Sequence, residues 1–220
     1  AGIGDGNLLV SVSVADGAGN TDSATLPLTV DNTPPQASVS VGSATVRDGE
    51  SLSVEVNANE TLAQTPELSF EPGFSVGTAT QTGNVYTWNA AITSGVAEDA
   101  YAVDVQLQDL AGNIADYEDA GAFEVDHTAP TLSLVSLSTT NANSNYAADG
   151  NRVAVEFTVA ESGTGLTQDS PSATIGGQAM SLESSSNGTY TFVYDVSQSD
   201  GAGSKEILIF ASDAAGNSSQ

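Results

Sequence analysis

The pattern Asp-x-Ala-Gly-Asn occurs three times in this chain, at Asp16-Gly17-Ala18-Gly19-Asn20, Asp109-Leu110-Ala111-Gly112-Asn113 and Asp213-Ala214-Ala215-Gly216-Asn217. Each copy follows a run of alternating apolar residues, so the loop marks the same place in a repeated module. The copies lie 93 and 104 residues apart, the size of one small β-sandwich. A chain of 220 residues punctuated in this way folds as a tandem array.

Further pairs keep the same phase. Asp31-Asn32-Thr33-Pro34-Pro35 and Asp126-His127-Thr128-Ala129-Pro130 share Asp-x-Thr-x-Pro, each after a strand ending in valine (Val30, Val125). Proline at the last position fixes φ and extends its predecessor, which makes these two connections short and stiff. Asp48-Gly49-Glu50 matches Asp149-Gly150-Asn151, Glu60 matches Glu161, and Tyr86-Thr87-Trp88 matches Tyr190-Thr191-Phe192. Insertions between these anchors belong in loops.

Period-2 alternation dominates, as in Leu52, Val54, Val56 and Val153, Val155, Phe157, and helical spacing is never sustained. The expected fold is all-β, a series of immunoglobulin-like β-sandwich domains in an extended rod. In the middle module strand A is expected near Gln36 to Val41, B near Leu52 to Val56, E near Tyr86 to Ala91, F near Ala102 to Gln108, and G near Ala122 to Val125. Residues 1–31 then hold the F–G hairpin of a preceding domain, 32–126 a complete domain, and 127–220 a domain lacking its last strand. Ala1 falls in the middle of a repeat. Either the array is cut within two modules, or the hairpin of one molecule completes the last module of another by strand exchange.

Asp-x-Thr-x-Pro between modules and Asp-x-Ala-Gly-Asn after strand F together resemble the bacterial Ig-like repeats of giant secreted adhesins and biofilm-associated surface proteins. The resemblance covers essentially the whole chain. It implies a rod of stacked domains on the bacterial cell surface, extracellular, with calcium at the junctions, and it names no adhesion ligand.

Charge restricts the partners. Twenty-eight acidic residues against three basic ones (Arg47, Arg152, Lys205) give a net charge of −25, which excludes nucleic acid and an anionic membrane surface. Cations are the natural counterpart. No cysteine is present, so neither disulfides nor a thiolate site stabilises the modules. No apolar run approaches the roughly 20 residues needed to span a bilayer.

Sandwich topology says where a cation would sit. The incoming linker, the BC loop and the FG loop share one end of a module, while the EF loop and the outgoing chain share the other. The first junction is therefore expected to gather Asp5, Asp31, Glu60 and Asp109, and the second Asp99, Asp126, Glu161 and Asp213. Packed carboxylates repel unless a cation lies among them, and calcium takes oxygen ligands from separate loops in flexible geometry. Bland roles compete at each position. The linker aspartates can make Asx-turns, the loop aspartates can bind their own backbone amides, and the loop glycines and asparagines can supply positive φ.

Catalysis is not expected. His127 is the single histidine and has no nucleophile paired with it in the sequence. Trp88 and Phe192, beside Tyr86 and Tyr190, read as core rather than as a sugar platform. A module that binds a glycan or a protein directly is the alternative function, motivated by the longer loops of the last module.

Overall fold

The computed structural model describes residues 3–70 and 74–220, so Ala1 lies outside the described residues. Its contacts divide the chain into two compact units. Ala1–Ser43, Ser51–Ala91 and Tyr101–Phe123 form the first, and Ala44–Glu50, Ile92–Ala100 and Glu124–Gln220 the second. Apart from one 3-10 turn at Gln198–Asp200, every regular element is a strand, and the protein is all-β. Among the described residues no helix is long and apolar enough to cross a membrane.

The first unit begins with β1 (Gly6–Ala15) and β2 (Thr21–Val30), an antiparallel hairpin that forms a two-stranded sheet of its own. Among the described residues no second sheet lies beneath it, and Leu9, Val12, Leu26 and Leu28 are 55–67% exposed. The chain continues through β3 (Ala37–Val41), β4 (Thr45–Val46), β5 (Ser51–Ala58), β6 (Glu67–Phe70), β7 (Ser75–Val76), β8 (Thr80–Thr82), β9 (Val85–Ala91), β10 (Asp99–Gln108) and β11 (Ile114–Val125). These make two sheets, β3-β5-β9-β7 with β8 on β9, and β4-β11-β10-β6.

The period-2 pattern turns Leu52, Val54, Val56 and Ala58 of β5, and Tyr101, Val103, Val105 and Leu107 of β10, into buried faces. Each fully buried valine or leucine contributes about 1.5–3 kcal/mol. Tyr86 and Trp88 lie within the core, their rings 6.3 Å apart, so neither forms a binding platform. Phe70, Phe74, Tyr101 and Phe123 complete it as an aromatic cluster with centroids 4.8–6.1 Å apart. Gly121 allows the close approach of the layers, since a Cβ there would lie 2.5 Å from Val41 Cγ2.

β11 is longer than the short strand G expected at Ala122 to Val125. Its first half carries Asp116, Glu118 and Asp119 outward and Ala115 and Tyr117 inward, with a positive φ at Asp119 breaking the regularity. A solvent-facing acidic edge reads as loop when only apolar residues are counted.

In the second unit β4 runs parallel to the end of β11, pairing Glu124 with Thr45 and Val125 with Val46. Two sheets then follow from β12 (Thr131–Thr139), β13 (Arg152–Ala160), β14 (Ser172–Ile175), β15 (Gln178–Ala179), β16 (Ser181–Ser186), β17 (Thr189–Asp195), β18 (Ile207–Ser212) and β19 (Ser218–Ser219). Their orders are β12-β13-β17-β16 and β15-β14-β18-β19. Val155, Phe157, Val159, Ala173, Met180, Phe192 and Ala211 form the core between them. Phe157 stacks on Phe192 at 5.7 Å, which places Phe192 inside, as its alignment with Trp88 implies.

Candidate metal centres

Each Asp-x-Ala-Gly-Asn loop is closed by its own aspartate. Asp109 is 1% exposed. Its Oδ1 accepts from the backbone N–H groups of Ala111 and Asn113, both at 2.8 Å, and its Oδ2 from Asn113 Nδ2 at 2.7 Å. Asp213 accepts the N–H of Asn217 at 2.8 Å and its Nδ2 at 2.9 Å, and Asp16 holds Ala18 and Asn20 in the same way. The fourth position has φ between 89° and 95° in all three copies, which only glycine adopts without strain. The bland reading of these aspartates is thus realised in every loop. A carboxylate offers about four lone-pair sites, however, so three hydrogen bonds do not exhaust Asp109.

The asparagines do more than the sequence suggests. None of Asn20, Asn113 and Asn217 has positive φ. Instead Asn113 Nδ2 also donates to the linker carbonyl of Asp31 at 3.2 Å, and Asn217 Nδ2 to that of Asp126 at 2.9 Å. One amide therefore ties the FG loop to the incoming linker, a role whose only sequence signal is that the loop and linker motifs keep phase.

Each linker aspartate makes an Asx-turn, Asp31 Oδ1 accepting from Thr33 N and Asp126 Oδ1 from Thr128 N, both at 3.0 Å. Both aspartates stand beside the FG and BC loops of the module they enter. There the chain gathers two groups, Asp31 with Glu60 and Asp109, and Asp126 with Glu161 and Asp213. Within each, one oxygen from every residue lies within 4.8 Å of the others. Six of the eight expected residues are thereby brought together, three at each linker.

Asp5 and Asp99 are not among them. Asp5 grips the first linker instead: Oδ1 accepts from Asn32 N at 2.8 Å and from Asn32 Nδ2 at 2.9 Å, while Oδ2 accepts from the Thr33 hydroxyl. The Thr33 hydroxyl, followed by the Asn32 amides, holds the Asp5 carboxyl below its ordinary value. At the second linker the same grip belongs to Glu98, whose Oε1 accepts from His127 N at 2.8 Å and from Thr128 Oγ1 at 2.6 Å. Asp99, one position on, turns back to its neighbour's N–H at 2.8 Å. Asp5 and Glu98 both lie eleven residues before their loop aspartates, Asp16 and Asp109. The repeat phase held the answer, and matching aspartate to aspartate obscured it. His127 is structural too, with Nδ1 accepting from Asp48 N at 2.9 Å and Nε2 lying 3.1 Å from Val96 O.

The electrostatics of the two groups differ. Burial, then the charges of Asp31 and Asp109, push the Glu60 carboxyl above its ordinary value. Burial pushes Asp109 up as well, but hydrogen bonds from Asn113, Gly112 and Ala111 outweigh it and hold the group low. Asp126, 2% exposed, is likewise raised by burial and brought down further by Thr164 and Thr128. Its Oδ2 accepts both the N–H and the hydroxyl of Thr164 at 2.9 Å. Gly163 makes that wrap feasible, because a Cβ there would lie 2.2 Å from Asp126 Oδ2. Glu161 Oε1 takes the Gly163 N–H at 2.7 Å, and its Oε2 is buried with no hydrogen-bond partner.

An unpartnered buried carboxylate oxygen is costly, and one that faces two further carboxylates is more so. An all-oxygen donor set drawn from three loops fits a hard divalent cation and offers nothing to a soft one.

No protein-family model matches the chain, and no curated protein matches it. Among solved structures it is similar to an I-band fragment of titin, with 13% identity and a TM-score of 0.46 over 86% of this chain and 64% of that one. It is also similar to the fibronectin(III)-like modules of Clostridium thermocellum CbhA, with 16% identity and a TM-score of 0.45 over 83% of this chain and 89% of that one. A third likeness is to a Ca2+-stabilized adhesin that helps an Antarctic bacterium reach out and bind ice, with 24% identity and a TM-score of 0.43 over 97% and 54% of the two chains. The chain thus spans 64% of the titin fragment and about half of the adhesin chain. At these TM-scores the likenesses carry no argument of their own, and the β-sandwich assignment rests on the strand order and cores described above.

Proposed function

We propose that the chain is an extender segment of a bacterial cell-surface adhesin, built of modules at residues 1–31, 32–126 and 127–220. In this reading calcium bound by Asp31, Glu60 and Asp109, and by Asp126, Glu161 and Asp213, stiffens each linker and holds one module against the next. The observation that carries it is the convergence of three carboxylates at each Asp-x-Thr-x-Pro linker, and at the second of them Glu161 has a buried oxygen with no partner.

The physical logic is charge compensation. Without a cation each group confines repelling carboxylates where the linker enters a module. A bound ion converts that repulsion into a shared contact, and water completes the six to eight ligands calcium takes. At a free concentration about a hundredfold above the dissociation constant, binding stabilises each site by about 2.7 kcal/mol. Nothing in this scheme needs a reaction. The module repeats because reach, rather than turnover, is what it supplies.

Isothermal titration of the chelator-treated chain tests the reading. Two calcium ions per chain are expected, with a melting temperature raised by several degrees, on the order of 2–4 °C per kcal/mol for a chain of this size. The scattering profile should also narrow toward a single conformation as calcium is added. No heat of binding, with melting unchanged by chelator, refutes the metal. Binding with an unchanged scattering profile refutes the stiffening.

A further inference from the structure

Thr45, Val46, Arg47 and Asp48 belong to the second unit, as do all three residues of the second acidic group. Strand geometry divides their side chains. Val46, 1% exposed, is turned inward, and Thr45 and Arg47, one residue to either side, are turned outward. Both reach the same loop. Thr45 Oγ1 donates to Ala214 O at 2.9 Å, and Arg47 Nη1 donates to Gly216 O. Ala214 and Gly216 lie in the Asp-x-Ala-Gly-Asn loop that Asp213 opens.

The backbone of the segment is engaged as well. Val46 O accepts from Asp126 N at 3.0 Å, and Asp48 N donates to His127 Nδ1 at 2.9 Å. Four consecutive residues thus each bond to one of two segments, the linker that carries Asp126 or the loop that carries Asp213. Arg47 is itself braced, with Nε 3.4 Å from Glu50 Oε1 and its backbone N–H donating to Glu50 Oε2 at 3.3 Å. Its Cζ lies 3.5 Å from the point that a Cβ on Gly216 would occupy, beside a residue whose φ of +89° already requires glycine. The same loop is bonded to the BC segment, Ala214 N to Gly165 O at 2.8 Å and Ala215 N to Thr164 Oγ1 at 3.2 Å.

We propose that these four residues are a positioning template for the second ion site, with Thr45 and Arg47 as positioning residues that set where Asp213 stands relative to Asp126. The inference rests on calcium as the ligand of that site. Asp213 is 0% exposed and supplies one of three carboxylates whose oxygens lie within 4.8 Å of one another. A loop free to shift would have to be ordered as the ion binds, and that ordering is subtracted from the affinity. The template orders it beforehand. By linkage the effect runs both ways, so an ion that needs loop and linker in this register also favours the contacts of Thr45 and Arg47.

Heteronuclear NMR of the full chain, treated with chelator and then titrated with calcium chloride, follows the two sites separately. The Gly112 amide, which donates to Asp109 O, reports the first, and the Gly163 amide, which donates to Glu161 Oε1, reports the second. Arg47→Met should raise the calcium midpoint at Gly163 by about fivefold or more and leave that at Gly112 unchanged. Thr45→Val, which deletes one hydroxyl at nearly constant shape, should raise it by about threefold. Urea unfolding separates positioning from plain packing. The stability lost in Arg47→Met should be larger in saturating calcium than in chelator, whereas a merely structural contact costs the same in both. A Gly163 midpoint indifferent to both substitutions, a Gly112 midpoint that moves as far, or equal losses in the two conditions would overturn the template and leave calcium in place. No calcium-dependent shift at either amide of the unsubstituted chain would overturn the calcium reading, and this inference with it.

Discussion

The two acidic groups share the set of two aspartates and one glutamate and the same FG-loop geometry, yet they reach different compromises with their own charge. At the first, the BC segment passes directly from Glu60 through Thr61 to Leu62, which bridges to Asp109. Asp31 stays half-buried, and Glu60 bears the repulsion. At the second, the bridging residue is Leu166, and Ser162-Gly163-Thr164-Gly165 is interposed after Glu161. That longer loop folds over Asp126, donates two hydrogen bonds to its outer oxygen and buries it. The difference teaches that an insertion of a few residues can replace part of what a cation supplies. The second group is pre-organised by protein donors, whereas in the first burial and like charge leave Glu60 with a raised carboxyl.

The sharpest way to break this comparison is to remove the linker aspartates in turn, in chelator. Asp126→Ala strips partners from Thr128 and from two donors of Thr164, so it should cost about 2–4 kcal/mol at roughly 1 kcal/mol per hydrogen bond plus the penalty of unpaired buried groups. Asp31→Ala loses only the Thr33 turn and should cost about 1 kcal/mol or less. Urea unfolding of both variants reads the two values, and equal costs would refute the contrast.

A smaller effect is expected from Thr164→Val, which keeps the shape and deletes the hydroxyl that donates to Asp126 and accepts from Ala215 N at 3.2 Å. The second unit should lose about 1–2 kcal/mol in chelator. Its calcium affinity should fall toward that of the first site, because the loop no longer holds the ligand in place.

The subtlest effect concerns pH. Glu60 titrates above its ordinary 4.5 in the folded chain, so the folded state binds more protons than the unfolded between those two values. In chelator its contribution therefore becomes more favourable as pH falls from neutrality through its raised folded value. Asp109 and Asp126 act oppositely, since their lowered values add stability that is lost only as pH drops below the ordinary aspartate value of 3.8. The first unit should gain stability on mild acidification and lose it on further acidification. Glu60→Gln, or saturating calcium, should abolish the gain and leave the loss, which melting curves across pH would show.

Much of this was legible in the residues. Alternation gave the inward faces of β5, β10 and β13, and the in-phase motifs located the linkers, the FG loops and both glutamates. What escaped has physical causes. The acidic half of β11 is a strand with its charges in water, which apolar counting cannot see. Asn113 and Asn217 act through side-chain amides aimed at a backbone carbonyl, and such a partner leaves no trace in composition. Thr164 matters because the insertion around it folds back on Asp126, and loop path is the least local property of a chain. Glu98 was hidden by its neighbour, since Asp99 matches Asp5 in kind while Glu98 matches it in place.

The short parallel pair of β4 with the end of β11 has a mechanical corollary. Glu124 N donates to Ala44 O at 2.9 Å and Asp126 N to Val46 O at 3.0 Å, so the strand entering early in the module is bonded to the strand leaving it. A pull toward the N-terminus on one and toward the C-terminus on the other slides the two past each other, loading these bonds together rather than peeling them singly. Drag on anything tethered through such a module is first resisted in shear, beside the very aspartate that anchors the next linker.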